Sequence, residues 1–176
     1  ISITGRKKDL IITAGGKNLT PANIENEIKA SDSLISQAHA HGDKRSYLVA
    51  LVTLGAPEAV EWARQQGTID DATANKHLKD LTNNPLARSA ELQSLLERVT
   101  RDPDVQKRIV RSVARANEAL SRVETIKKIH ILNREFSVED DELTPTLKLK
   151  RKNIEVKFKE TFDRLYDDER FGLVVL

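Results

Sequence analysis

Two short loops carry the residue types that handle anions at close range. The first is Ala14-Gly15-Gly16-Lys17-Asn18, a double-glycine turn ending in a lysine. Glycine permits positive φ and close approach of the backbone to a ligand, which suits a phosphate or the wall of a narrow tunnel. It follows a basic segment, Gly5-Arg6-Lys7-Lys8-Asp9, and an apolar piece, Leu10-Ile11-Ile12. The spacing is neither that of a nucleotide phosphate-binding loop with its glycine–lysine–serine/threonine ending nor that of a dinucleotide fingerprint. The second loop is Leu143-Thr144-Pro145-Thr146-Leu147-Lys148-Leu149-Lys150-Arg151. A residue before proline avoids the helical region, so an extended loop is expected, with a lysine at its end reaching toward an anion. By residue type alone, each loop also reads as a solvated turn. His39 and His41, two apart on one strand face, have the spacing of a chelate, but no third ligand is near in sequence and no metal site is expected.

The elements that must position these loops follow from periodicity and punctuation. Thr20-Pro21 is a cap-plus-proline helix start, and Pro21–Ala30 places Ile24 and Ile28 on one face. Ile35–His41 and the continuous apolar run Tyr47–Leu54 read as a strand hairpin across Gly42-Asp43-Lys44-Arg45. From residue 57 to 122 the pattern is helical. Ala59, Trp62 and Ala63 mark one short helix, and Asp70 caps a second through Leu81. Two longer helices follow, one with Leu86, Leu92, Leu95, Leu96 and Val99, the other opened by Asp102-Pro103 with Val105, Ile109, Val113, Ala116, Leu120 and Val123. The last two read as an antiparallel scaffold pair, with a partner-binding face as the alternative. Ile126–Leu132 returns to strand. An acidic stretch, Glu135–Glu142, precedes the second loop, and a final helix from about Arg151 to Leu165 buries Ile154, Phe158, Phe162 and Leu165. The expected fold class is α+β: a small sheet with a β-hairpin flanked by helices, plus an inserted antiparallel helical pair.

Composition narrows the function classes. The chain has 176 residues and no cysteine, which excludes a disulfide framework, a thiolate metal site and a cysteine nucleophile. Lys and Arg number 29 against 27 Asp and Glu, a balance unlike that of a dedicated nucleic-acid binder. No apolar run approaches the roughly 20 residues of a membrane span. The sequence has no methionine and starts Ile1-Ser2-Ile3-Thr4 inside a strand-like piece, so a segment of a longer protein is expected.

Taken together, the two loops resemble paired motifs of one family. Thr4-Gly5-Arg6-Lys7-Lys8-Asp9-Leu10-Ile11-Ile12-Thr13-Ala14-Gly15-Gly16-Lys17-Asn18-Leu19-Thr20-Pro21-Ala22-Asn23-Ile24-Glu25 is similar to the hinge-and-loop motif of the adenylate-forming superfamily of acyl-CoA synthetases, luciferases and adenylation domains. Leu143–Arg151 is similar to its C-terminal lysine motif. The wording is closest to long-chain fatty acyl-CoA synthetases. The resemblance implies a C-terminal domain that rotates against an N-terminal adenylation domain between activation of a fatty acid with ATP and thioester formation with CoA. It implies Lys148 as the catalytic lysine, Lys8 as the hinge, Arg6 as a nucleotide contact, and Gly15, Gly16 and Lys17 as the loop beside the pantetheine tunnel. Where much of the superfamily has glycine before the lysine this chain has Leu147, and Lys150 stays open as an alternative. Lys150, Arg151 and Lys152 read as a solvated helix start, with contact to CoA phosphates as the other option. Glu25 reads equally as a helix-start carboxylate or as a direct participant. ATP and Mg2+ would be held mainly by the N-terminal domain, and a cytoplasmic location is implied, with peripheral membrane association of the full-length protein open. On this reading residues 1–8 form the hinge end, 9–165 the mobile domain and 166–176 a tail. A fatty acyl-AMP ligase serving a carrier protein and a non-enzymatic helical interaction domain are the alternatives.

Overall fold

A computed structural model describes residues 10–86 and 88–175. Arg6 and Lys8 lie outside the described residues.

Two sheets are built. A small hairpin pairs β1 (Ile11–Ile12) with β2 (Asn18–Leu19). The main sheet has the order β3-β4-β5-β6, formed by Ile35–His41, Leu48–Leu54, Ile126–Leu132 and Leu173–Val174. The β3–β4 and β5–β6 pairs are antiparallel and β4–β5 is parallel. β4 is central and buried along its whole length, as its unbroken apolar run requires. Its side chains alternate between two cores, with Leu48, Ala50, Val52 and Leu54 in one and Val49 and Leu51 in the other.

The first core packs beneath α1 (Pro21–Ser31) and the four helices inserted between β4 and β5. These are α2 (Ala56–Gln65), α3 (Asp71–Asn83), α4 (Ala90–Arg101) and α5 (Pro103–Glu118). The expected caps are in place at Asp70, which accepts from Thr73 N–H, and at Asp102, which accepts from Asp104 and Val105 N–H. Ser89 caps α4, so that helix starts later than its apolar pattern implied and leaves Leu86 outside and exposed. Asp102 both ends α4 and caps α5, joining them without a linker. At the far end of α5 the Asn117 amide donates to Ile126 C=O (2.9 Å) and accepts from Ile126 N–H (2.8 Å), holding the first residue of β5.

The second core lies on the other face of the sheet, under α6 (Arg151–Lys157) and α7 (Lys159–Asp167). The sequence read these as one helix. Phe158, at φ −102° and ψ 19°, divides it, and this residue is only half-buried. The segment read as a tail contributes β6 to the sheet. Gly172 permits this docking, because its φ is +81° and a Cβ there would lie 2.9 Å from Ile129 O. Among the described residues, no helix is long and apolar enough to cross a membrane.

Candidate functional site

The two loops singled out by residue type adopt one and the same local structure. In the first, Thr13 N–H donates to Lys17 C=O (3.0 Å), Gly16 N–H to Thr13 C=O (2.8 Å), and Lys17 N–H to the Thr13 hydroxyl (3.2 Å). In the second, Thr144 N–H donates to Lys148 C=O (2.8 Å), Leu147 N–H to Thr144 C=O (2.8 Å), and Lys148 N–H to the Thr144 hydroxyl (3.1 Å). Both are three-residue hairpin loops whose last residue is left-handed, with Gly16 at φ +73° and Leu147 at φ +60°. The second loop is therefore a tight turn closed by the Leu143–Leu149 bridge, and not the extended stretch that Pro145 suggested. The hydrogen bond from Leu147 back to Thr144 accounts for the difference, since proline at the second position of a turn is well accommodated.

Gly15, Gly16, Lys17 and Lys148 are all exposed. Among the described residues, no hydrogen bond or ion pair engages the Lys148 ammonium. Lys150, by contrast, pairs with Asp141. The two lysines thus differ in availability: one is held and one is presented.

The base of the second loop is ionic and partly buried. The Glu142 carboxylate is fully buried, receives a bidentate bond from Arg134 (2.7 Å each) and pairs with Lys157 at 3.0 Å. Burial pushes this carboxyl up, but Arg134 and Lys157 outweigh it and leave it below the ordinary carboxylate value. The Ser137 hydroxyl, with Arg88 and Arg134 beside it, holds Asp140 down at about 2. Of the acidic and basic stretches flanking the loop in sequence, Asp141 and Lys150 pair with each other, while Asp140 and Glu142 take their cations from elsewhere.

The ends of the two motifs meet. Arg151, in the first turn of α6, forms a bidentate pair with Glu25 of α1 at 2.7 and 2.5 Å, and Glu25 also accepts from Ala40 N–H at 2.9 Å. Arg151 is thus not the solvated helix-start residue its position suggested. Glu25, left open by sequence, joins β3 and α6. Burial lifts the Glu25 carboxyl above its ordinary value against the pull of Arg151 and the Ala40 N–H. The two partners stand 126 residues apart, which is why neither reading found the other.

A second grouping was half visible. His39 and His41 share the face of β3 that lies under α6 and α7, opposite Leu51 and Val49. Glu155, one turn beyond Arg151, places Oε1 3.9 Å from His39 Nε2 and 3.5 Å from His41 Nδ1. Burial, then the Arg151 charge, holds His39 well below its ordinary value, so its ring is neutral.

Sequence comparison shows what the chain is similar to. Residues 8–81 match the model of the AMP-binding enzyme C-terminal domain. The chain is 38% identical over 169 residues to the long-chain-fatty-acid–CoA ligase FadD15 of Mycobacterium tuberculosis, covering 96% of this chain and 24% of that relative. The human long-chain-fatty-acid–CoA ligase ACSBG1 is 34% identical over 176 residues, which is 96% of this chain and 22% of the relative. The chain therefore spans about a quarter of the length of the curated relatives it matches. Part of the adenylation domain of a carboxylate reductase from Mycobacterium chelonae shares this fold, with a TM-score of 0.56 at 22% identity, over 93% of this chain and 20% of that one. The family model reaches the Gly15–Lys17 loop and Glu25. Lys148 lies beyond it, within the span shared with the ligases.

Proposed function

We propose that this chain is the mobile C-terminal domain of an AMP-forming long-chain fatty acid–CoA ligase. The full-length enzyme would activate a fatty acid with ATP to an acyl-adenylate and then transfer the acyl group to CoA. The reading rests on the similarity to long-chain-fatty-acid–CoA ligases over nearly the whole chain, and one observation carries its chemistry. That observation is the Lys148 hairpin, a rigidly based loop presenting an uncommitted ammonium.

In the adenylation step a carboxylate attacks the α-phosphate, and negative charge gathers on the phosphoryl oxygens. A fixed cation stabilises that transition state and offsets the repulsion between the two anions. Lys148 takes this role. Lys150 does not, because its charge is engaged by Asp141 in the loop base. In the thioester-forming state the Gly15-Gly16-Lys17 loop would line the pantetheine path, where the absence of a Cβ at Gly15 leaves room. Lys8 as hinge and Arg6 as nucleotide contact enter by motif similarity alone. Domain rotation would present the two loops in turn to an N-terminal domain that binds ATP, Mg2+ and the acyl chain. Mg2+ prefers oxygen ligands, so the nitrogen-rich His39–His41–Glu155 grouping is not its site. The full-length protein would act in the cytoplasm, docking peripherally on membranes for its acyl substrate.

The test is Lys148→Ala in the full-length enzyme. Adenylation, read by pyrophosphate exchange, should fall by about 3–4 kcal/mol of transition-state stabilisation, roughly a few hundredfold. Transfer from supplied acyl-adenylate to CoA should persist. Lys150→Ala should leave exchange within about tenfold of the parent, since it removes only a largely exposed ion pair. Normal exchange in Lys148→Ala would sink the assignment, and acceptance of a carrier protein in place of CoA would move the enzyme to the acyl-AMP ligase class.

A further inference from the structure

The His39–His41–Glu155 grouping is not used by the reading above, and its geometry is specific. The His39 side chain is wholly buried, yet neither of its ring nitrogens has a hydrogen-bond partner among the described residues. His41 Nδ1 is likewise buried and unpartnered. A buried polar atom without a partner is costly, and its presence calls for an explanation. The rings are held by packing: Phe162 stacks on His41 at 4.2 Å between centroids and lies tilted against His39 at 5.7 Å. Orientation thus comes from the aromatic wall, while His39 Nε2 and His41 Nδ1 face Glu155 Oε1.

The ligand atoms of all three residues lie within 4.8 Å of one another. A four-coordinate zinc ion with bonds of about 2.0–2.2 Å sets its ligands roughly 3.3–3.5 Å apart. The separation of 3.5 Å from His41 to Glu155 already meets this, and the 3.9 Å from His39 needs only a small closing movement. Glu155 is 39% exposed, so its carboxylate is free to make that movement. Two imidazoles and one carboxylate select a borderline transition ion over Mg2+ or Ca2+. The charged neighbours are accounted for. Arg151 faces His39 but is bound bidentately to Glu25, and Asp163 near His41 is bonded to Lys159.

We propose that His39, His41 and Glu155 bind one divalent transition-metal ion of zinc type, joining β3 to α6. The consequence is positional. α6 begins directly after the Lys148 hairpin, so the ion would pin the helix that carries that loop to the central sheet. Its role is independent of which acyl acceptor the full-length enzyme uses.

The test is made on the 176-residue chain, stripped with a chelator and titrated with Zn2+ against a chromophoric competitor. One ion per chain is expected. Glu155→Gln and His41→Gln should each weaken binding at least tenfold, whereas His130→Gln, which alters a histidine stacked on Phe171 elsewhere, should not. Co2+ should give visible absorption bands of a low-coordinate site that disappear in the same two variants. Glu155 is half-exposed and its variant keeps the fold, which the metal-free thermal midpoint verifies. The parent midpoint should rise with Zn2+ and that of Glu155→Gln should not. Failure of the parent to bind at micromolar Zn2+, or binding unchanged by both substitutions, overturns the proposal.

Discussion

The two lysine loops are the same turn supported in different ways. The Thr13–Lys17 loop is tied to the β3–β4 turn mainly through the main chain: Lys44 N–H donates to Ile12 C=O at 2.7 Å and Ala14 N–H to Arg45 C=O at 3.0 Å. The Thr144–Lys148 loop stands on the Arg134, Lys157 and Glu142 network. The left-handed position is filled by glycine in one and by leucine in the other, and Leu147 is 71% exposed, so packing does not reward it. The loop read as lining a tunnel has neutral, compact support. The loop read as meeting a phosphoryl group keeps its ammonium uncommitted above a base that includes the paired charges of Arg134, Glu142, Lys157, Lys150 and Asp141. A turn geometry is thus one device, and its surroundings decide what it does.

Four tests, using five substitutions, break or sharpen this contrast. The largest effect is expected from Glu25→Gln, which severs the pair joining the two motifs. Buried pairs add little net stability, but loss of one partner strands the other, at a cost of about 3–5 kcal/mol in urea unfolding. A change under about 1 kcal/mol would show that the tie is not used. Next come the left-handed positions. Gly16→Ala should lose about 1–2 kcal/mol and Leu147→Gly should gain about 0.5–1 kcal/mol, opposite signs at equivalent sites. Equal signs would mean the two turns are not equivalent in solution.

The third is a matter of pH. Asp140 titrates at about 2 in the folded protein against an ordinary 3.8, so it stabilises the fold above pH 4 and loses that contribution as pH falls toward 2. Asp140→Asn should be less stable than the parent at pH 7, with the gap closing between pH 4 and pH 2. Amides of the second loop should lose hydrogen-exchange protection over that range before those of the first. The smallest effect is Gly15→Val. Gly15 is not left-handed, and its Cβ would have only the Thr13 hydroxyl near, at 3.9 Å. Stability should stay within about 0.5 kcal/mol. In the full-length enzyme thioester formation should nonetheless drop while adenylation holds. Equal loss of both half-reactions would remove the tunnel role from this loop.

Much of the fold was legible because it is written locally. β3 and β5 appear at the residues their patterns marked, and α1, α3 and α5 start at the expected proline or capping aspartate. What was missed depends on distance or on absent punctuation. Leu147 carries no glycine signature for its left-handed backbone. β6 is two residues long and exists only by pairing with β5. Glu155 and Arg151 gain meaning only when α6 covers β3. The lysines themselves were visible as residue types, but the pairing of Lys150 and the availability of Lys148 required coordinates.

The Asn117 clamp on Ile126 has a kinetic meaning. β4 and β5 are parallel neighbours separated by four helices, so their pairing must close a long loop, a slow and entropically costly event for an unstructured chain. Here the entry of β5 is fastened to the end of α5, and α4 and α5 share Asp102 with no slack between them. Once the insertion has formed, the search is over a short span, and the strand arrives with its first residue already indexed. A one-residue slip would move Ile129 and Ile131 from the first core to the opposite face of the sheet, and the side chain of a single asparagine at a helix end sets the register against it.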